Sequence, residues 1–196
     1  MGEIILGVDF GSKRSGFTAA AALVEGNIHI YQCTKGDDAD LWLQNLISRL
    51  EPNIVGIDAP LSLPGVYTGL DNCDNYHYRH CDVQAGAMSP MFIGGLTARA
   101  MAFSHWLSSY FETKIIEVYP KLGAKRLELS TSYKKDKDYL GPAQQIVERE
   151  FEGCGLLNEL ENWHQFDAVL ALLSTVRYAG GNAQKIGLEV EGLIYF

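Results

Sequence analysis

A short apolar run that ends in an acid constrains this chain most: Ile4-Ile5-Leu6-Gly7-Val8, followed by Asp9, Phe10 and Gly11. The run reads as a buried strand. A carboxylate at the end of such a strand is costly unless it is paired or holds a cation. Gly7 and Gly11 leave room for another group to approach the backbone closely. Asp9 is therefore a candidate ligand for a cation and, behind the cation, a phosphate. The plainer alternative is a strand that closes in an acidic turn.

The chain has 196 residues, which suits one α/β domain, residues 1–196, with a large insertion. Hydrophobic residues make up 47%, enough for a core, and a charged fraction of 20% gives no sign of disorder. The net charge of −8 argues against a protein basic all over. Contact with nucleic acid must rest on local clusters: Lys13-Arg14, then Lys121, Lys125 and Arg126, then Lys134, Lys135 and Lys137. Most such clusters are solvated faces. The cysteines, Cys33, Cys73, Cys81 and Cys154, have no disulfide-framework spacing. No leader is read ahead of the first strand, and no apolar run is long enough to span a bilayer. The expectation is a cytoplasmic protein with reduced thiols and no membrane partner.

Strand signals cover 3–9, 15–24 and 28–33, with a turn at Glu25-Gly26-Asn27, so the first three strands read as an antiparallel meander. Asp37 to Asp40 offers a helix start, and Leu41, Leu43, Leu46, Ile47 and Leu50 follow at helical spacing until Pro52. Asn53 to Ile57 is a fourth strand, and it too delivers an acid, Asp58. Residues 59–95 hold several Pro and Gly, and read as an irregular lid or substrate-facing insertion. Helices are expected over 96–111, 142–151 and 164–179, the last with Asp167 in its first turn. Lys114 to Val118 is a fifth strand carrying Glu117, and 186–196 read as two short closing strands.

This element order resembles that of the ribonuclease H fold, in which the first strand lies centrally and the fourth pairs beside it in parallel. Asp9 and Asp58 would then stand on adjacent strand ends, where open α/β sheets gather their ligands, and Asp167 would reach the same point from a helix. Phosphodiester hydrolysis brings a charged nucleophile against a charged phosphate. Two divalent ions about 3.5–4 Å apart can activate the water and stabilise the leaving oxygen. Mg²⁺ takes oxygen ligands and keeps several waters, so a few carboxylates on separate elements suffice. Clustered acids raise one another's pKa, and a metal removes the conflict. Singly, each acid has a bland alternative: Asp58 as a turn cap before Pro60, Asp167 as a helix-dipole acid, Glu117 as a lysine partner whose side chain points elsewhere.

Gly7-Val8-Asp9 opens a series of motifs that continues with Gly56-Ile57-Asp58-Ala59-Pro60-Leu61-Ser62-Leu63-Pro64. Arg79-x-Cys81-Asp82, Glu117-Val118-Tyr119-Pro120, Tyr133-Lys134, Asp167-Ala168 and Glu191-Gly192-x-Ile194 follow. In content and order these motifs resemble a family catalogued as domain of unknown function 429, described as predicted nucleases with a ribonuclease H-like fold, the Asp58 stretch being its most characteristic. The opening Gly-x-Asp-Phe-Gly-x-Lys-Arg-x-Gly also resembles that of Holliday-junction resolvase-like proteins. The resemblance implies a mixed five-stranded sheet flanked by helices, with strands 1–3 a meander and strands 4 and 5 parallel to strand 1. It also implies a metal-dependent nuclease. Asp9, Asp58 and Asp167 would hold two Mg²⁺ or Mn²⁺ ions, with Glu117 accessory. Lys13, Arg14, Arg79, Asp82, Arg99 and Lys134 are the candidates for substrate contact. Nucleic acid, structured or single-stranded, would be the partner; self-association as a homodimer stays open. Resolvase-type sites often carry a second acid a turn away on the last helix, where this chain has His164.

Cys73, His77, His80 and Cys81 offer donors for zinc, but their spacing is not that of a finger, and adjacent His80 and Cys81 would need a bent backbone to share an ion. Zinc is not expected there; Arg79 and Asp82 then position substrate or brace the insertion. Tyr67, Tyr76, Tyr78 and Phe92 are candidates for base stacking. Two other functions compete with nuclease: a non-catalytic nucleic-acid or ligand-binding protein that keeps the fold, and an actin- or sugar-kinase-type phosphotransferase. The last needs two such domains and a second Gly-rich phosphate turn, for which this chain is too short.

Overall fold

The computed structural model describes residues 2–151, 153–156 and 158–196. β1 (Ile5–Asp9) pairs antiparallel with β2 (Ala19–Val24), and β2 antiparallel with β3 (Asn27–Gln32). Between them Glu25 and Gly26 both take positive φ, 49° and 79°, the tight turn whose twist suits a hairpin. On its other side β1 pairs parallel with β4 (Ile54–Asp58), and β4 parallel with β5 (Lys114–Val118). This core is the ribonuclease H-like α/β arrangement expected from the motifs.

Three short strands widen the sheet to eight. β6 (Gly155–Leu156) joins the β3 edge, a strand without a sequence signal. β7 (Lys185–Leu188) and β8 (Gly192–Tyr195) form the closing hairpin, and β8 runs parallel beside β5.

Helices cover both faces. α1 (Ala39–Leu50) is capped by Asp38, whose side chain accepts from the amides of Asp40 and Leu41. α2 (His80–Ala85) and a short 3-10 turn (Gly65–Thr68) give the insertion its only regular structure among the described residues. α3 (Gly94–Tyr110) starts two residues before Leu96, the expected start. Pro120 ends β5 and also opens α4 (Pro120–Arg126), because proline suits a first helical turn. α5 (Leu140–Glu148) likewise begins ahead of Pro142.

α6 (Trp163–Ala179) is the central helix, with Gln165 to Thr175 buried without a break. A helix apolar on every side belongs inside. It lies between α4 and α5 and the sheet face that carries Ile5, Ala19 and Ala21. The opposite face, with Leu6, Val8, Val55 and Ile57, packs on α1 and α3.

Two glycines let α6 touch the sheet. A Cβ on Gly7 would lie 2.0 Å from the Leu172 amide nitrogen, and one on Gly56 2.0 Å from Thr175 Oγ1. Backbone cannot give way there as a side chain can. Gly7→Ala is expected to lower stability by about 3 kcal/mol or more in urea titration, at the upper end for overpacking. Gly95→Ala, in open space within α3, should raise it by about 0.5–1 kcal/mol. Equal effects would refute the close approach.

Candidate functional site

β1 and β4 run in register, so Asp9 stands directly opposite Asp58. Both lie on the face that α6 covers, because Gly7 and Gly56 two residues earlier meet that helix. α6 begins at Trp163 behind an Asn162 cap, so Asp167 lies beyond the first turn, a correction to its expected place. There the helix dipole is weak and Asp167 faces the strand ends instead. Ligand oxygens of Asp9, Asp58 and Asp167 all lie within 4.8 Å of one another.

The three acids are supported unequally. Asp9 Oδ2 is 2.8 Å from His164 Nδ1, and the His164 ring stacks on Phe17 at 4.4 Å between centroids. Asp167, 1% exposed, accepts a short hydrogen bond from the Tyr133 hydroxyl and an ion pair from Lys134. Lys134 holds a left-handed backbone, φ 61°, an unusual conformation for a lysine. Asp58 accepts no hydrogen bond from any described residue. Burial pushes the Asp58 carboxyl well up, and the charges of Asp9 and Asp167 add to this. Burial also raises Asp167, against the pull of Lys134. The one lysine, Lys134, offsets only part of the charge of three carboxylates.

Glu117 does not join it. It pairs with Ile57, one residue out of step with Asp58, so it points to the other face. It meets Arg79, which is 0% exposed, at 2.6 and 2.7 Å. Arg79 also bonds Asp82 at 2.7 and 3.0 Å and Ser62 Oγ at 2.9 Å. All five guanidinium protons are thereby used. Arg79 and Asp82, candidates for substrate contact or for bracing the insertion, lie buried in this network, which ties the insertion to β5. Burial raises the Glu117 carboxyl, opposed by Arg79.

The remaining cations divide. Arg99 is bound to Asp40 at 2.6 Å and to the Gly11 carbonyl at 3.1 Å, and lies over the Phe10 ring. It fastens the loop after β1. Lys13 reaches Asp38 at 3.0 Å but stays half exposed, and Arg14 touches only the Gly36 carbonyl at 3.2 Å. A cavity of about 320 Å³, lined mainly by apolar groups including Met88, Ile93 and Leu96, opens beside Asp58. Phe17 carried no signal in the sequence, and Tyr133 only its place in the Tyr133-Lys134 motif; each is identified as a site residue by what it touches.

No helix among the described residues is long and apolar enough to cross a membrane. No family model matches the sequence, and no curated protein matches it. Among solved structures the chain is similar to T. thermophilus RuvC in complex with a Holliday junction substrate. The TM-score is 0.49 at 11% identity, over 95% of this chain and 99% of that one. A second Thermus thermophilus RuvC structure gives 0.47 at 11% identity, over 90% and 94%.

Two outcomes follow from these geometries. A carboxyl raised in the folded state stabilises less as pH climbs through that raised value. Asp58→Asn should therefore stabilise the metal-free protein by roughly 1 kcal/mol at pH 8. The gain should vanish as pH falls toward the usual aspartate value of 3.8. Thermal melts across pH check this, and a destabilised variant at pH 8 would contradict it. Arg79→Leu strands two buried carboxylates and should cost about 3–5 kcal/mol in urea titration.

Proposed function

We propose that this chain is a divalent-metal-dependent hydrolase of phosphodiester bonds in nucleic acid. The observation that carries the reading is the Asp9, Asp58 and Asp167 trio, brought together from two strands and a helix within 4.8 Å, with Asp58 lacking any donor. The donor set is all oxygen, which suits Mg²⁺ or Mn²⁺. Bound there, the metal would acidify a water and stabilise charge on the departing oxygen. Charge balance orders the occupancy: three carboxylates against one Lys134 ammonium leave two negative charges, which one divalent ion cancels. A second ion then requires the negative charge that a substrate phosphate brings.

The chain's own groups do the rest. His164 steadies Asp9 through Nδ1 and offers its second ring nitrogen for proton exchange. Tyr133 and Lys134 hold Asp167 in place, and Lys134, half exposed, also faces the phosphate. Lys13 and Arg14, on the loop that leaves β1, supply the local positive charge that the chain as a whole lacks. Phe17, half exposed, gives a base a flat surface to stack on. The motif resemblance to a family of predicted nucleases points the same way.

Purified protein with Mn²⁺ or Mg²⁺ should cleave at least one of duplex, junction or single-stranded DNA, or RNA. Asp9→Asn should lower the rate at least about 100-fold, since even residues behind a metal ligand cost 10- to 100-fold. Inactivity of the folded wild type over the whole panel with both ions would overturn the reading. One observation favours a non-catalytic binder instead: the Lys134 ammonium on Asp167 already offsets part of the trio's charge. Lys134→Ala separates the two. It should tighten metal binding but slow cleavage if the site is catalytic, and tighten metal binding with no cleavage to lose if it is not.

A further inference from the structure

We propose a second metal site, for a borderline-soft divalent ion of the zinc class, formed by Cys73, His80 and Glu191. One donor atom from each lies within 4.8 Å of the other two. The three come from separate parts of the chain: the loop after the 3-10 turn, the first residue of α2, and the turn between β7 and β8. His80 Nδ1 and Glu191 Oε2 are 2.9 Å apart. The set is one sulfur, one nitrogen and one oxygen, a combination that suits zinc and not magnesium.

Glu191 is built into place. It is 5% exposed, and its carboxylate accepts from the amides of Gly65 at 2.8 Å and His80 at 2.7 Å. Burial pushes this acid up, but the two amides and the His80 ring together outweigh it and lower the carboxyl. Amide donors behind a ligating carboxylate fix its orientation. The thiol is fixed as well, since a Cβ on Gly65 would fall 2.6 Å from Cys73 Sγ. Beside the trio a cavity of about 270 Å³, lined by Asp74, Asn75, Tyr78 and Gln84 among others, leaves space for a water as fourth ligand.

A nucleophilic cysteine is the competing use of a thiol beside a histidine. It needs a positive neighbourhood. Here the groups beside the thiol, Glu191 and Asp74, are negative, which suits a ligand for a cation and not an attacking group. The ion would fasten the insertion to the closing hairpin, a few residues from the Arg79 brace. The zinc set considered from sequence differs in two members. Cys81 is fully buried against Gly187, and His77 stacks on Phe92.

The test uses Co²⁺ and Zn²⁺ alone on the full chain. Wild-type protein should bind Co²⁺ with a thiolate-to-metal charge-transfer band in the near ultraviolet, and Zn²⁺ should displace it. Cys73→Ser should abolish the band, while Cys154→Ser keeps it. His80→Asn, at a half-exposed position, should keep the band but weaken Co²⁺ binding at least 10-fold; it also serves if Cys73→Ser fails to fold. Asp58→Asn should leave the band unchanged, which separates this site from the carboxylate trio. No band in the wild type, a band that survives Cys73→Ser, or unchanged affinity in His80→Asn would overturn the proposal.

Discussion

The approach of α6 to β1 and β4 is the contact on which the rest depends. Gly7 and Gly56 strip the sheet of side chains where the helix crosses it, and the helix backbone and Thr175 fill that space. The same contact sets the depth at which Asp167 arrives. A larger residue at either glycine would lift the helix, and the trio would open before any acid was changed. The apolar burial along α6 is therefore what holds an unfavourable charge cluster together. Burial of the Gln165 to Thr175 stretch contributes far more than a few clustered carboxylates cost.

The insertion shows the opposite solution to a buried charge. Arg79, Asp82 and Glu117 are all removed from water. Such ion pairs add little net stability relative to apolar packing, but they tolerate only one geometry. Here every guanidinium proton has a partner, so the segment that follows β4 can seat on β5 in one way. The Leu61 amide bonds the same Glu117 at 2.9 Å. That fixes the chain just after Asp58 and with it the mouth of the carboxylate site. The brace and Asp58 line the same cavity, so the segment it seats also bounds the carboxylate trio.

The apolar runs, Pro52, Pro120 and the Glu25-Gly26 turn made the five central strands and their order legible in the sequence. The acids at strand ends made two thirds of the trio legible, because a strand's last residue has a defined direction. Glu117 was ambiguous for the same reason: one residue of register sends a side chain to the other face, and sequence does not print the register. The starts of α3, α5 and α6 slipped by one or two residues and α4 went unread, because a cap such as Asn162 or a first-turn Pro120 is local chemistry that the apolar periodicity does not record. Long-range partners were the least legible. Glu191 is 111 residues from His80, and nothing in their spacing announces the contact. Arg79 was open between substrate contact and a brace because its two acids, one three residues on and one on β5, are joined only by folding.

One fold thus supports two sites of different chemical character on either side of the Arg79 brace. At the carboxylate trio, the donors are oxygens, the pKa values run high, and a lysine supplies part of the charge that is missing. At Cys73, His80 and Glu191 the donors are mixed, and the acid accepts from two backbone amides. An ion on the first set would exchange with water and phosphate, because hard oxygen ligands bind a hydrated ion loosely. In the second set the acid is already oriented by its amides, as a site that would hold segments together requires. The difference follows from position: the first set stands at strand ends beside a cavity, the second on a turn packed against a helix start and a loop.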